Sequence, residues 1–144
     1  MNTKTRPIPD GYHTLTAYLT VRGAAEAIDF YKKAFGATEL FRLAMPEGKI
    51  AHGEFRIGDS IFMISDENPE WDSASPQKLG GSPVTLHLYV EDADRTFADA
   101  VKAGASEAMP VAKQFWGDRM GKVVDPFGHR WLIATHVEDV ASSE

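Results

Sequence analysis

The 144-residue chain contains no cysteine. That excludes disulfides, thiolate nucleophiles and thiolate metal sites. It has no Lys/Arg run long enough to follow a phosphate backbone, and its net charge is −6, so nucleic acid is not an expected partner. No apolar stretch approaches the ~20 residues needed to cross a bilayer, and no membrane partner is expected. The opening MNTKTRPIPDG lacks the apolar core of a signal peptide. With no address found, the cytoplasm is the expected location. What is present is 43% apolar and 25% charged residues. Those proportions, at this length, suit one compact domain or two small fused halves.

Residues 1–11 read as a tail. Thr14 to Val21 then alternates as a strand, with Leu15, Ala17, Leu19 and Val21 on one face and Thr14, Thr16, Tyr18 and Thr20 on the other. From Ala24 a helical period takes over: Ala24, Ala27, Ile28, Tyr31 and Phe35 form one stripe, and Gly36 sits where a helix C′ glycine belongs. Strands are expected at about Thr38–Leu43, Ile50–Ile57 and Ser60–Ser65, with Gly58-Asp59 as a hairpin turn. The pattern recurs. Val84 to Val90 alternates, Asp92 is a good N-cap, and Ala93, Phe97, Ala100 and Val101 make a second stripe ending at Gly104. Shorter strands are expected near Glu107–Val111 and Lys122–Asp125, and a last one at Arg130–Thr135 after a Pro126–His129 turn.

The spacing makes this a repeat. Val21 and Val90 lie 69 apart, Gly36 and Gly104 lie 68 apart, and Gly58 and Gly128 lie 70 apart. Strand, helix, glycine and last hairpin keep one order at nearly one offset. The expected organisation is α+β: tandem βαβββ modules over residues 12–66 and 83–137, a polar linker at 67–82 and a C-terminal tail at 138–144. The plain alternative is an unduplicated α+β sandwich.

The faces carrying Leu15, Leu19 and Val21, and Leu86, Leu88 and Val90, are apolar and should pack under the helices. The opposite faces carry Thr16, Tyr18 and Thr20, and Thr85, His87 and Tyr89. Two mixed sheets brought together would curve into a cup walled by these semipolar and aromatic residues, a small-molecule pocket. Otherwise the faces are simply wet.

AYLTV followed by AIDFYKKAFGA resembles the opening strand and helix of glyoxalase/bleomycin-resistance proteins, the vicinal-oxygen-chelate superfamily; LHLYVEDAD resembles its second copy and GDRMGKVVDPFGHRWLIATH its closing hairpin. HGEFRIGDSIFMISDE with DPFGHRW looks like the PhnB-like subgroup, which often carries a demethylubiquinone methyltransferase label. No glycine-rich S-adenosylmethionine loop follows a strand here, so methyl transfer is set aside. The resemblance implies a homodimer, or a pseudo-dimer of modules, with a ligand cup between paired modules. It also implies, for the metal-dependent members, a His on the first strand and a Glu on the last strand of each module, holding a divalent ion that polarises vicinal oxygens. Counted from Val21 and Val90, the His positions fall on Thr16 and Thr85. Counted from Gly58 and Gly128, the Glu positions fall on Phe62 and Leu132. None is a usual ligand, so no cofactor is expected, and a divalent metal only at a non-standard site. The four positions become cup-wall candidates instead.

His52 and Glu54 share a strand face and could form a general acid/base pair or part of a displaced metal site, or merely a polar pair. His87 points to the same side as Thr85. Trp116 and Arg119, on a loop before the last hairpin, could cover a ligand, with Trp116 stacking and Arg119 meeting an anion or pairing with Asp118 or Asp125. Trp71 reads as a second lid or a dimer contact and Trp131 as core. Asp125 reads as a turn brace accepting backbone amides, and His129 as a turn residue. His13 and His136 read as surface or hydrogen-bonded residues. Three functions compete. The first is a metal-free small-molecule binder using Tyr18, Tyr89 and Trp116. The second is a lyase or isomerase on a small oxygenated substrate using His52, Glu54 and His87. The third is a partner-binding module without a ligand.

Overall fold

The computed structural model describes residues 5–141; the outermost parts of both expected tails, residues 1–4 and 142–144, lie outside it. The first half runs β1 (Tyr18–Val21), α1 (Ala24–Phe35), β2 (Thr38–Ala44), β3 (Ile50–Ile57) and β4 (Ser60–Asp66). A short α2 (Pro76–Leu79) follows. The second half runs β5 (Thr85–Tyr89), α3 (Ala93–Ala103), β6 (Ser106–Lys113), β7 (Asp118–Val124) and β8 (Arg130–His136). Each half forms a four-stranded mixed sheet, ordered β1-β4-β3-β2 and β5-β8-β7-β6. The β1/β4 and β5/β8 pairs are parallel and the rest antiparallel. The architecture is α+β, with the same strand order in both halves.

The helices form where the stripes fall. Ala24, Ala27, Ile28 and Tyr31 are buried, and Gly36 turns left-handed at φ 70° with its N–H returned to the last helical turn. The Asp92 side chain accepts the Arg95 N–H at 3.1 Å and starts α3. β1 is shorter than the expected Thr14–Val21. Continuing the parallel register from Tyr18↔Met63 would set Leu15 opposite Ser60, where β4 begins. Only Thr14 would fall beyond the start of β4, yet the pairing begins at Tyr18, and Leu15 is 88% exposed rather than packed under a helix. β7 begins at Asp118, four residues before the expected Lys122, because Asp118 pairs with His136 at the far end of β8.

The expected linker is ordered by its own contacts. Glu67 accepts the Ser75 N–H and hydroxyl at 3.1 and 2.7 Å, and Ser75 caps α2. Pro76 seats on the Gly128 turn so tightly that a Cβ at residue 128, where φ is +95°, would lie 2.5 Å from the proline Cβ.

The two halves share one hydrophobic core. Helices α1 and α3 pack together. Tyr31 and Phe35 of α1 lie 5.5 and 4.6 Å, ring to ring, from Trp131 of β8, and Phe62 of β4 lies 5.8 Å from the same indole. The inner face of each sheet therefore meets the helices and the other half. Within one chain the space between modules is filled by these side chains rather than by a cup, and the outer faces point away from each other.

Candidate functional site

On the first sheet, register partners share a face. Tyr18, Met63, Glu54 and Phe41 form one row across all four strands, and His52 with Leu43 forms part of the next. This is the outer face. The His52 Nε2 lies 2.8 Å from Glu54 Oε2, and the Tyr18 hydroxyl lies 2.9 Å from His52 Nδ1. Tyr12, from the turn that ends the N-terminal segment, donates its hydroxyl to Glu54 Oε1. One tautomer satisfies every group: Tyr18 donates to Nδ1, and Nε2–H donates to the carboxylate. The Tyr12 and His52 donors lower the Glu54 pKa, whereas burial and the neighbouring carboxylate push the Tyr12 phenol up to about 12. The result is an ionised carboxylate in line with an imidazole and two phenols, beside the Phe41 ring at 6.2 Å from His52. Such a line can take up or pass a proton. Tyr12 was hidden in sequence because it borders a stretch that reads as a tail.

On the second sheet the outer face carries Thr85, His87 and Tyr89 from β5, Arg130 and Leu132 from β8, and Asp118, Met120 and Lys122 from β7. His87 lies 4.6 Å from the Tyr89 ring. At the far end Asp118, 1% exposed, accepts from Tyr89 (2.7 Å) and Trp116 Nε1 (3.2 Å) and bonds His136 Nδ1 (2.8 Å). These donors, His136 first, lower the Asp118 pKa. His136 also reaches Asp139 at 2.7 Å. Trp116 is thus tied down at the edge of this face.

Of the expected site residues, Thr16, Tyr18, His52 and Glu54 fall on the first outer face, and Thr85, His87, Tyr89 and Leu132 on the second. His52 and Glu54 touch; His87 does not join them, because it lies on the sheet that faces the other way. Two expectations fail. Phe62 lies on the inner face, stacked 5.2 Å from Phe55. The hairpin turns differ in length: Ile57 pairs with Ser60 but Val124 with Arg130, so counting from the glycines slips by one. Tyr18↔Met63 and His87↔Leu132 are equivalent pairs, each 69 apart from its counterpart, which puts Met63 opposite Leu132 in the repeat. Arg119 also faces inward. It forms a bidentate pair with Asp94 of α3 at 2.6 and 2.9 Å, not with Asp118 or Asp125. Trp131 is buried in the core and Asp125 braces its turn. His129 does more than hold a turn, since its ring nitrogen bonds the Thr20 carbonyl across the two halves at 3.0 Å.

The positions that the resemblance implies for a metal, with Met63 in place of Phe62 once the register is corrected, carry two hydroxyls, a thioether and a hydrocarbon: Thr16, Thr85, Met63 and Leu132. This donor set does not fit a divalent cation. The chemistry of these faces is read from the protein's own side chains.

Two paired βαβββ sheets with this connectivity define the class. The chain belongs to the glyoxalase/bleomycin resistance protein/dioxygenase superfamily, whose family model matches residues 12–133. An uncharacterized protein of Mycobacterium tuberculosis is 45% identical over 133 residues, covering 90% of this chain and 78% of that protein. Among solved structures, TioX from Micromonospora sp. ML1 is 25% identical with a TM-score of 0.69, over 87% of this chain and 99% of TioX. The PhnB protein from Bacillus cereus, 19% identical, shares the fold with a TM-score of 0.65 over 85% of this chain and 99% of its own.

Proposed function

We propose that this protein binds a small molecule on its outer sheet faces, in a cup closed when a second copy sets its second module against the first module of its partner. The observation that carries the reading is the dress of those faces. Tyr18, Phe41, Leu43 and Tyr89 are 49%, 50%, 53% and 62% exposed, while the inner faces are sealed by helices. Contiguous aromatic and apolar surface around a few fixed polar groups is the signature of a binding surface. Because the outer faces of one chain diverge, only a second chain can turn the two surfaces into a cavity. Titration with a panel of planar aromatic compounds, followed by tryptophan fluorescence, tests the reading. A saturable change is expected, abolished in its fluorescence by Trp116→Phe and weakened in affinity by Tyr18→Ala. No saturable response from any neutral, cationic or anionic member would overturn it.

The Tyr12–Glu54–His52–Tyr18 line favours a second reading, a lyase or isomerase acting by proton transfer. Glu54 supplies the base and His52 its support, and His87 would join them only across the dimer contact. A displaced metal at His52 and Glu54 belongs to this reading. Glu54→Gln, which keeps shape and removes the base, would then abolish turnover while leaving ligand affinity within a few-fold. Equal loss of both would speak for a binding role alone.

A further inference from the structure

Cations without partners are unevenly placed in this molecule. Among the described residues Lys33, Lys49, Arg56, Lys78, Arg95 and Lys102 form no ion pair, and every one of them is exposed, where water solvates the charge at no cost. Lys122 and Arg130 form none either, yet both are half-buried. A cation drawn partly out of water pays a desolvation cost unless an anion or acceptor offsets it. No side-chain hydrogen bond within the described residues does so. The charged ends are not sealed off, because no fully buried side-chain nitrogen or oxygen there lacks a partner. The two side chains reach solvent from a partly covered floor.

They also sit together. Lys122 pairs with Leu132 and Arg130 with Val124, so the two cations are diagonal neighbours on the outer face of the second sheet, roughly 7–8 Å apart at the backbone. Across β8, Thr85 stands beside Arg130 and His87 beside Leu132. Lys122, Arg130, Thr85 and His87 therefore ring Leu132. Met109, paired with Lys122 on β6, and Val124 extend the apolar floor. The acidic residue on this face is Asp118, four residues along β7 or roughly 13 Å away, and it is already engaged by His136, Tyr89 and Trp116.

We infer that this ring is an oxyanion subsite, taking the carboxylate or phosphoryl group of a ligand whose apolar body lies on Leu132, Met109 and Val124. The inference rests on the small-molecule reading above and names the ligand's charge. Arginine offers a planar fork matched to two oxygens, lysine a point charge, and threonine a hydroxyl donor. An anion lying between them would supply the compensation that the chain itself does not.

Calorimetric titration of the full chain with phenylphosphonate, benzoate, benzyl alcohol and benzylammonium tests this. All four carry the same ring, so charge is the variable. At least one of the two anions should bind about tenfold more tightly than benzyl alcohol and weaken with added salt. The ratio between the anions identifies which oxyanion is preferred. Lys122→Met and Arg130→Met should each cost the anion about tenfold and leave benzyl alcohol unchanged, while Lys49→Met, an exposed cation elsewhere, leaves both unchanged. Benzyl alcohol or benzylammonium binding as tightly as the anions would overturn the inference, as would methionine variants that keep the anion's affinity. In either event saturable binding of the neutral ring leaves the small-molecule reading standing. If none of the four binds and the aromatic panel is silent too, both fall. The ligand comparison on the unmodified chain decides the question even if a variant folds poorly.

Discussion

Asp125 is 3% exposed and accepts four hydrogen bonds: from the Phe127 and His129 amides at 2.9 and 3.0 Å, the Tyr31 hydroxyl at 2.6 Å and the Trp131 indole at 2.9 Å. Tyr31 comes from α1 of the first half; the others belong to the second. Burial, and then the Asp125 carboxylate, push the Tyr31 phenol well above its usual range, so it stays a donor. One carboxylate thus braces a turn and ties the halves together. Removing it orphans buried donors, each costing ~1–3 kcal/mol. Asp125→Ala should lower the unfolding free energy by about 3 kcal/mol or more, and Tyr31→Phe by about 2 kcal/mol, measured by urea denaturation. Changes below about 0.5 kcal/mol for both would contradict the assignment. At this scale the sequence was partly legible. Asp before Pro at a turn signals amide bonding, but a bond to a tyrosine 94 positions away is not a local signal. His52 and Glu54 were visible as an i, i+2 pair on one strand. Tyr12 was not, since nothing near it in the chain says which strand the turn will overhang.

Between elements, the C-terminal segment is fastened to the β6–β7 connection. The Val137 and Glu138 amides both donate to the Gly117 carbonyl at 2.9 and 3.1 Å. A Cβ at Gly117 would lie 2.1 Å from the Glu138 carbonyl oxygen. Lys113 pairs with Glu138, and His136 stands between Asp139 and Asp118. The two carboxylates, Asp139 first, raise the His136 pKa above its usual 6.5. A raised folded-state pKa gives stabilisation that is complete below the unfolded value and disappears as pH climbs through the folded one. Thermal stability should therefore fall modestly as pH rises from about 6.5, the magnitude held down by solvent at a half-exposed ring. His136→Gln should flatten that slope, with melting followed at several pH values in one ionic strength. An unchanged slope in the variant would place the titration elsewhere. The strands and helices themselves were legible from period and glycine placement. Edges were not: β1 begins at Tyr18 rather than Thr14, and β7 begins at Asp118 because that residue pairs with His136, a distant partner that the charged local pattern does not reveal.

Across the whole molecule, the repeat in the sequence is the repeat in the fold, carried by alternation, stripe and glycine at nearly one offset. Amphipathic pattern tells which face of a sheet is apolar, but not which other sheet it will meet. The inner faces meet within the chain, through Trp131, Tyr31, Phe35 and Phe62, so the semipolar faces look outward. Strand alternation puts Phe62 and Arg119, expected in the cup, on the inner faces, and the proposed cavity would form only against a second copy. Sedimentation velocity at micromolar concentration tests this most directly. The account predicts a particle of twice 15.8 kDa that dissociates when Phe41, on the outer face, is changed to Glu. A particle of a single chain's mass across the concentration range, with ligand present or absent, would contradict it.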